Sequence, residues 1–325
     1  METVKEKSKA ETSQVLIRQM QEADLDIADR ICRVAFGTFL GLANPETCFG
    51  DSDFIHTRWL ASPKTALCAE LNGNIVGSNI VTQWGSVGFF GPLSVHPSLW
   101  DCGIARKLLP PTMELFHEWQ VTHAGLFTFA QSPKHAALYQ KFDFWPRFLT
   151  MIMAKPIAGE RKAMDALRFS ALLPADKASI LKECFKVTDS IYPGLDVEHE
   201  VRAVDDQQIG DTVLLMEGSQ LAGFAICHCG PRSEGGTGVC YLKFAALKSS
   251  FADDKHFENL LRNCAELGAT KGTSKLIAGV NISRIQAYRS MMAQGFRTEL
   301  QGVALQRGNE IGYNREGVYL IDDWR

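Results

Sequence analysis

Asp24 and Asp176 stand 152 residues apart, and so do Phe144 and Phe296. Equal offsets near the start and the end of so long a stretch point to a duplicated domain-sized unit. Each copy opens alike. Leu16-Ile17-Arg18 precedes Ala23-Asp24 and then Ile27, Ile31, Val34 and Phe36, while Leu167-Arg168-Phe169 precedes Ala175-Asp176 and then Ile180, Leu181, Cys184 and Phe185. Both read as a short strand, an Asp near a helix N-terminus and an amphipathic helix.

Each copy continues with a hairpin. Ala66 to Leu71 turns at Asn72-Gly73 into Ile75-Val76-Gly77, and Thr212 to Met216 turns at Glu217-Gly218 into Leu221-Ala222-Gly223. Asn-Gly suits such a turn because both residues tolerate positive φ. Each copy closes with a helix, an aromatic segment and a strand, and Val303 to Gln306 with Val318 to Ile321 read as the last strands. The join falls near Lys155 to Lys162, where Pro156, Gly159 and charged residues break the periodicity. Residues 1–14 are polar and read as a disordered leader, leaving units at 15–156 and 165–325.

Composition narrows the function. The chain of 325 residues is 46% hydrophobic and 22% charged with a formal net charge of −3, which lacks the basic excess of a dedicated nucleic-acid binder. No apolar run approaches the roughly 20 residues of a membrane helix. Nine cysteines without a Cys-x-x-Cys pair fit reduced thiols in the cytoplasm. Cys227, His228 and Cys229 form the one tight cluster of soft ligands. Adjacent strand residues face opposite ways, so buried thiols are expected there and no metal.

Chemistry concentrates between Phe89 and Leu109. Phe90-Gly91-Pro92-Leu93-Ser94-Val95-His96-Pro97 reads as a strand, and Ser98 to Ala105 as a tight connection into a helix beginning near Gly103. Unpaired N–H groups at such a helix start, with the helix dipole behind them, make an anion cradle. Small residues at Gly103 and Ala105 let phosphate approach the backbone. Pro110 and Pro111 are expected to kink the helix that follows.

This stretch resembles the GNAT (GCN5-related N-acetyltransferase) superfamily. The matching residues are Val95-His96-Pro97, Gly103-Ile104-Ala105 and Arg106-Lys107-Leu108-Leu109, with Trp100 where the family has Gln or Arg. A second stretch, Ser132-Pro133-Lys134-His135-Ala136-Ala137-Leu138-Tyr139 through Phe144, resembles the family's closing helix, with Ser132 in place of Asn and Asp143 in place of Gly. The resemblance implies two tandem α/β domains, each a mixed, mostly antiparallel sheet flanked by helices. It implies acetyl-CoA as co-substrate, contacted by Leu93, Ser94, Val95, Asp101, Cys102, Gly103, Ile104, Ala105, Arg106 and Ser132. Tyr139 would be the acid for the leaving thiolate, and a backbone N–H near Val95 the oxyanion donor.

The second half is similar only in its closing helix, Asn281 to Tyr288 with Gly295-Phe296. Met291 takes the phenol position, and Ala246 to Lys255 carries Asp253 and Asp254 but no glycine, so this half is expected not to bind acetyl-CoA. The acceptor would be an amine, a small molecule in preference to a protein. Asp51, Asp53, His56 and His135 are candidates for its base, and Phe36, Phe39, Phe49, Phe54, Trp59 and Trp84 for apolar walls or core. A non-catalytic acyl-CoA-binding or regulatory module is the alternative. A monomer is preferred to a dimer, because a tandem pair can make internally the contacts that single-domain relatives make between subunits.

Overall fold

The computed structural model describes residues 14–157 and 164–324. Residues 1–13 of the expected leader and 158–163 of the expected join lie outside the described residues. The first half runs β1 (Leu16–Gln19), α1 (Leu25–Phe39), α2 (Ile55–Ala61), β2 (Ala66–Leu71), β3 (Asn74–Trp84), β4 (Val87–Phe90), β5 (Ser94–Val95), α3 (Ile104–Glu118), β6 (His123–Thr128), α4 (Pro133–Gln140) and β7 (Phe144–Pro156). The second runs β8 (Leu167–Arg168), α5 (Pro174–Asp189), α6 (Glu198–Gln207), β9 (Gly210–Glu217), β10 (Gln220–Gly230), β11 (Gly236–Leu247), α7 (Asp254–Thr270), β12 (Lys275–Asn281), α8 (Ile285–Ala293), β13 (Arg297–Arg307) and β14 (Leu320–Ile321). These are two tandem α/β units, each a mixed, mostly antiparallel sheet with flanking helices.

Local chemistry accounts for the elements. The buried stripe of α1 is Leu25, Ala28, Ile31, Cys32 and Ala35, at helical spacing. Asp24, just before it, accepts both guanidinium nitrogens of Arg18 at 2.7 and 3.0 Å and the Gln21 N–H at 2.8 Å, fastening β1 to the helix. Asn72 and Gly73 turn the first hairpin with φ of 52° and 77°. The helix α3 is continuous through Pro110 and Pro111. Both prolines withhold an N–H, from the carbonyls of Arg106 and Lys107. One residue on, the buried Thr112 hydroxyl donates to the Leu108 carbonyl at 2.8 Å and accepts from Asn79 at 2.9 Å.

The strands join into one sheet in the order β1-β2-β3-β4-β6-β13-β7-β12-β11-β10-β9-β8. Thus β13 of the second half lies between β6 and β7 of the first, and β7 lies between β13 and β12 of the second. The registers repeat with the sequence offset. Thr128 faces Val303, and their counterparts Val280 and Met151 face each other; Phe127 faces Ala304, as Gly279 faces Ile152. A core cluster spans the exchange, with Trp84 and Phe89 of the first half packed against Leu195, Phe224 and Phe244 of the second.

Candidate functional site

The strand β4 runs parallel to β6 only as far as Phe89 opposite Gly125. The chain then turns through a cis Gly91-Pro92 bond, and β5 pairs with β3 alone, Val95 opposite Gly77 and Ser94 opposite Ser78. Beyond Phe89 the two parallel strands therefore part. Leu93, Ser94 and Val95 present a backbone edge that no strand among the described residues covers.

The turn after β5 is built from local bonds. The Trp100 indole donates to the Val95 carbonyl at 2.8 Å. Asp101 and Gly103 take positive φ, 67° and 81°, and Asp101 pairs with Lys134 in the first turn of α4. The first helical bond of α3 is donated by Lys107 to Gly103, so the N–H groups of Ile104, Ala105 and Arg106 have no helical acceptor. A Cβ at Gly103 would meet nothing within 4 Å. The loop and helix start thus place free N–H groups, a positive dipole end and open space together, which is what an anion cradle requires. Cys102 is half-buried and Arg106 exposed.

On the other side of the opening, Ser132 caps α4 by accepting the His135 N–H at 3.3 Å. Tyr139 is buried edge-on to Phe90, ring centroids 5.8 Å apart, at the point where the sheet opens. Burial pushes its phenol well above the usual range, so the proton is held. His135 lies over Phe39 at 5.1 Å, and burial holds its imidazole below the ordinary value.

The candidates for a base are all engaged structurally. Asp51 accepts the Thr237 N–H at 2.8 Å and its hydroxyl at 2.5 Å. Asp53 caps α2 through the His56 N–H at 2.9 Å, and its own N–H reaches Ser233 at 2.9 Å. His56 bridges Asp53 and Asp26. The loop before α2 is therefore clamped to the second half. Phe36, Phe49 and Phe54 pack ring on ring, as do Phe39 and Phe129. Trp84 belongs to the common core.

A buried ionic group joins the halves behind the opening. Arg58 donates to both oxygens of Glu234 at 2.8 Å and to the Gly91 carbonyl at 2.7 Å, while Lys243 reaches Glu234 at 2.9 Å. Burial alone would raise the Glu234 carboxyl, but the two cations bring it down to about 2. Sequence reading missed this group; its signal was Lys243, a charge inside the apolar run Tyr241 to Leu247. Cys227 packs in the core with Cys240 and Cys264, Cys229 packs against that cluster, and His228 points the other way, as alternation requires.

The second half has the same parting of strands, and its own tail fills it. β11 pairs in parallel with β12 as far as Leu242 opposite Ala278. Past that point β14 lies along β11, with Ile321 opposite Ala245 and Leu320 opposite Ala246, and the Leu247 N–H donates to Tyr319 at 3.0 Å. Gly223 faces Leu247 as Gly77 faces Val95, so Ala245, Ala246 and Leu247 correspond to Leu93, Ser94 and Val95. Arg284, one repeat after Ser132, is fully buried and bonds Asp322 of the tail at 2.7 Å. Asp323 accepts from Tyr241 at 3.0 Å, and Trp324 donates to Tyr313 at 3.0 Å. Met291 is core.

Residues 37–144 match the model of the Acetyltransferase (GNAT) family. Over nearly its whole length the chain is similar in fold to a Pyrococcus horikoshii protein classed with the acetyltransferases (15% identity, 95% of each chain, TM-score 0.66). It is likewise similar to a GCN5-related N-acetyltransferase from Sphaerobacter thermophilus (13% identity, 90% of this chain and 95% of that one, TM-score 0.60). No curated protein matches it. The sequence match of residues 37–144 and the opened sheet agree in making the first half similar to a GNAT acetyltransferase domain. The chain as a whole has the tandem GNAT fold, as in a tandem GNAT protein from the clavulanic acid biosynthesis pathway (11% identity, 90% of this chain and 98% of that one, TM-score 0.53). No helix among the described residues is long and apolar enough to cross a membrane.

Proposed function

We propose that the chain is an acetyl-CoA-dependent N-acetyltransferase with one coenzyme site, in the first half. The observation that carries this is the bare edge of Leu93 to Val95 leading to the cradle at Gly103, where the corresponding edge of the second half already holds an extended chain segment. An extended pantetheine arm would take the same backbone positions in the first half. Asp101, Cys102, Gly103, Ile104, Ala105 and Arg106 would hold the pyrophosphate, and Ser132 would complete the wall.

In the transfer, the acceptor nitrogen bonds to the acetyl carbon while a backbone N–H of Leu93 to Val95 receives the oxyanion. The carbon–sulfur bond then breaks. Tyr139 gives its proton to the departing thiolate, and the proton lost by the amine restores the phenol. A small-molecule amine is the favoured acceptor, because the loop before α2 is clamped to the second half and narrows the approach. The nine free cysteines support a reducing, cytoplasmic setting. A non-catalytic coenzyme-binding role draws on Trp100, whose indole occupies the Val95 carbonyl.

Calorimetric titration of acetyl-CoA into the native protein and into Gly103→Asp tests the reading. One site, weakened at least about tenfold by the introduced carboxylate, is expected. No binding to the native protein overturns it, and binding without turnover of any amine leaves the non-catalytic role.

A further inference from the structure

A cavity of about 570 Å³ lies between the halves, walled by α2 and the end of β3 on one side and by α6 and β10 on the other. Its size suits a small organic molecule. Its wall includes Arg58 and Ile80, both bonded to Gly91, two residues before Leu93.

One group in the wall lacks the partners that buried polar atoms ordinarily have. His228 is 3% exposed, lines the cavity, and neither ring nitrogen has a hydrogen-bond partner. Glu200 is likewise buried in the wall. The Trp84 indole, at 2.9 Å, and His199, at 3.5 Å, both meet its Oε1.

The charges left over in the wall are mainly negative. Glu234 is satisfied by Arg58 and Lys243, and Glu198 by Arg202. Asp196 and Glu200 then stand against Lys64. Lys243 does not line the space. Lining the cavity are thus the Glu200 carboxylate, which attracts a cation, and a neutral imidazole that can donate at one nitrogen and accept at the other.

We propose that this cavity binds the acceptor, and that the acceptor is a compact amino alcohol whose amine is captured as the ammonium by Glu200 and loses one proton to solvent before transfer, and whose hydroxyl meets His228. This rests on the acetyltransferase reading for the word acceptor, but the binding itself does not.

The test is ligand titration followed by the ring signals of His228 in protein labelled at histidine, assigned by their loss in His228→Gln. The probes are 2-amino-1,3-propanediol, glycerol and glycerate, which share a three-carbon frame and differ in charge. Saturable movement of the His228 signals by the amine alone is expected, with affinity reduced about tenfold in Glu200→Gln. No movement with the amine, or equal movement with glycerol or glycerate, overturns the proposal, and that comparison needs no variant. Acetyl-CoA titrated into the same samples separates the two readings. Coenzyme binding without an amine response removes the cavity proposal alone, whereas an amine response without coenzyme binding removes the coenzyme site alone.

Discussion

Thr150 and Gly302 face each other across β7 and β13, and they are one repeat apart. Each is therefore the other's counterpart, and the pseudo-twofold axis of the molecule passes through this pair. On either side the registers mirror each other, down to a bulge in each arm.

Gly302 is there because nothing larger fits. An added Cβ would come 2.2 Å from the Phe127 ring and 2.6 Å from the Thr128 carbonyl. Gly302→Ala is expected to destabilise the fold by about 1–3 kcal/mol through overpacking. Phe127→Leu should recover part of that loss, as a double-mutant cycle in urea would show; strictly additive losses would mean that the contact does not carry the cost.

Tyr139 should act on the chemical step. Tyr139→Phe is expected to lower kcat about 100-fold while the affinity for acetyl-CoA stays unchanged. Thiol release in steady state, paired with calorimetry, gives both numbers. An unchanged kcat would leave the phenol a packing group against Phe90.

Acid should weaken the fold through two histidines. Burial pushes His123 and His228 down to about 4 from an ordinary 6.5. Between those values the unfolded chain binds more protons than the folded one, so stability is fully present above the upper value and is lost as pH falls toward the lower. Each contributes a slope of about 1.4 kcal/mol per pH unit in that window. Urea midpoints across it should fall steeply for the native protein and less steeply for His123→Phe. Identical slopes would refute the assignment.

The tail should be part of the folded core. Trp324 packs on Gly125 and Tyr313, and Asp322 holds the buried Arg284. Trp324→Ala is expected to cost about 3–5 kcal/mol. A denaturation midpoint unchanged by the substitution would show the segment to be dispensable.

Much of this was legible in the residues, and what was not has a physical reason. The repeat, both hairpins and the helix start at Gly103 depend on local conformation, which periodicity and turn chemistry report directly. Exchange of β7 and β13 is invisible to such signals, since either pairing buries the same alternating faces. Asp51, Asp53 and His56 looked like loop charges open to a substrate, because their partners Thr237 and Ser233 lie far along the chain. Arg284 in the second half gave no sign of gripping the tail. Its meaning depends on Asp322, which only the fold brings near.

The strand exchange also bears on how the two halves could diverge. Had the units remained separate and identical, paired through the same strands, every substitution would have struck both sites at once. Joined in one chain, they were free to differ. One parting of strands could be filled by residues 320–321 while the other stayed open. The filled copy cannot be discarded, because it completes the sheet of the open one.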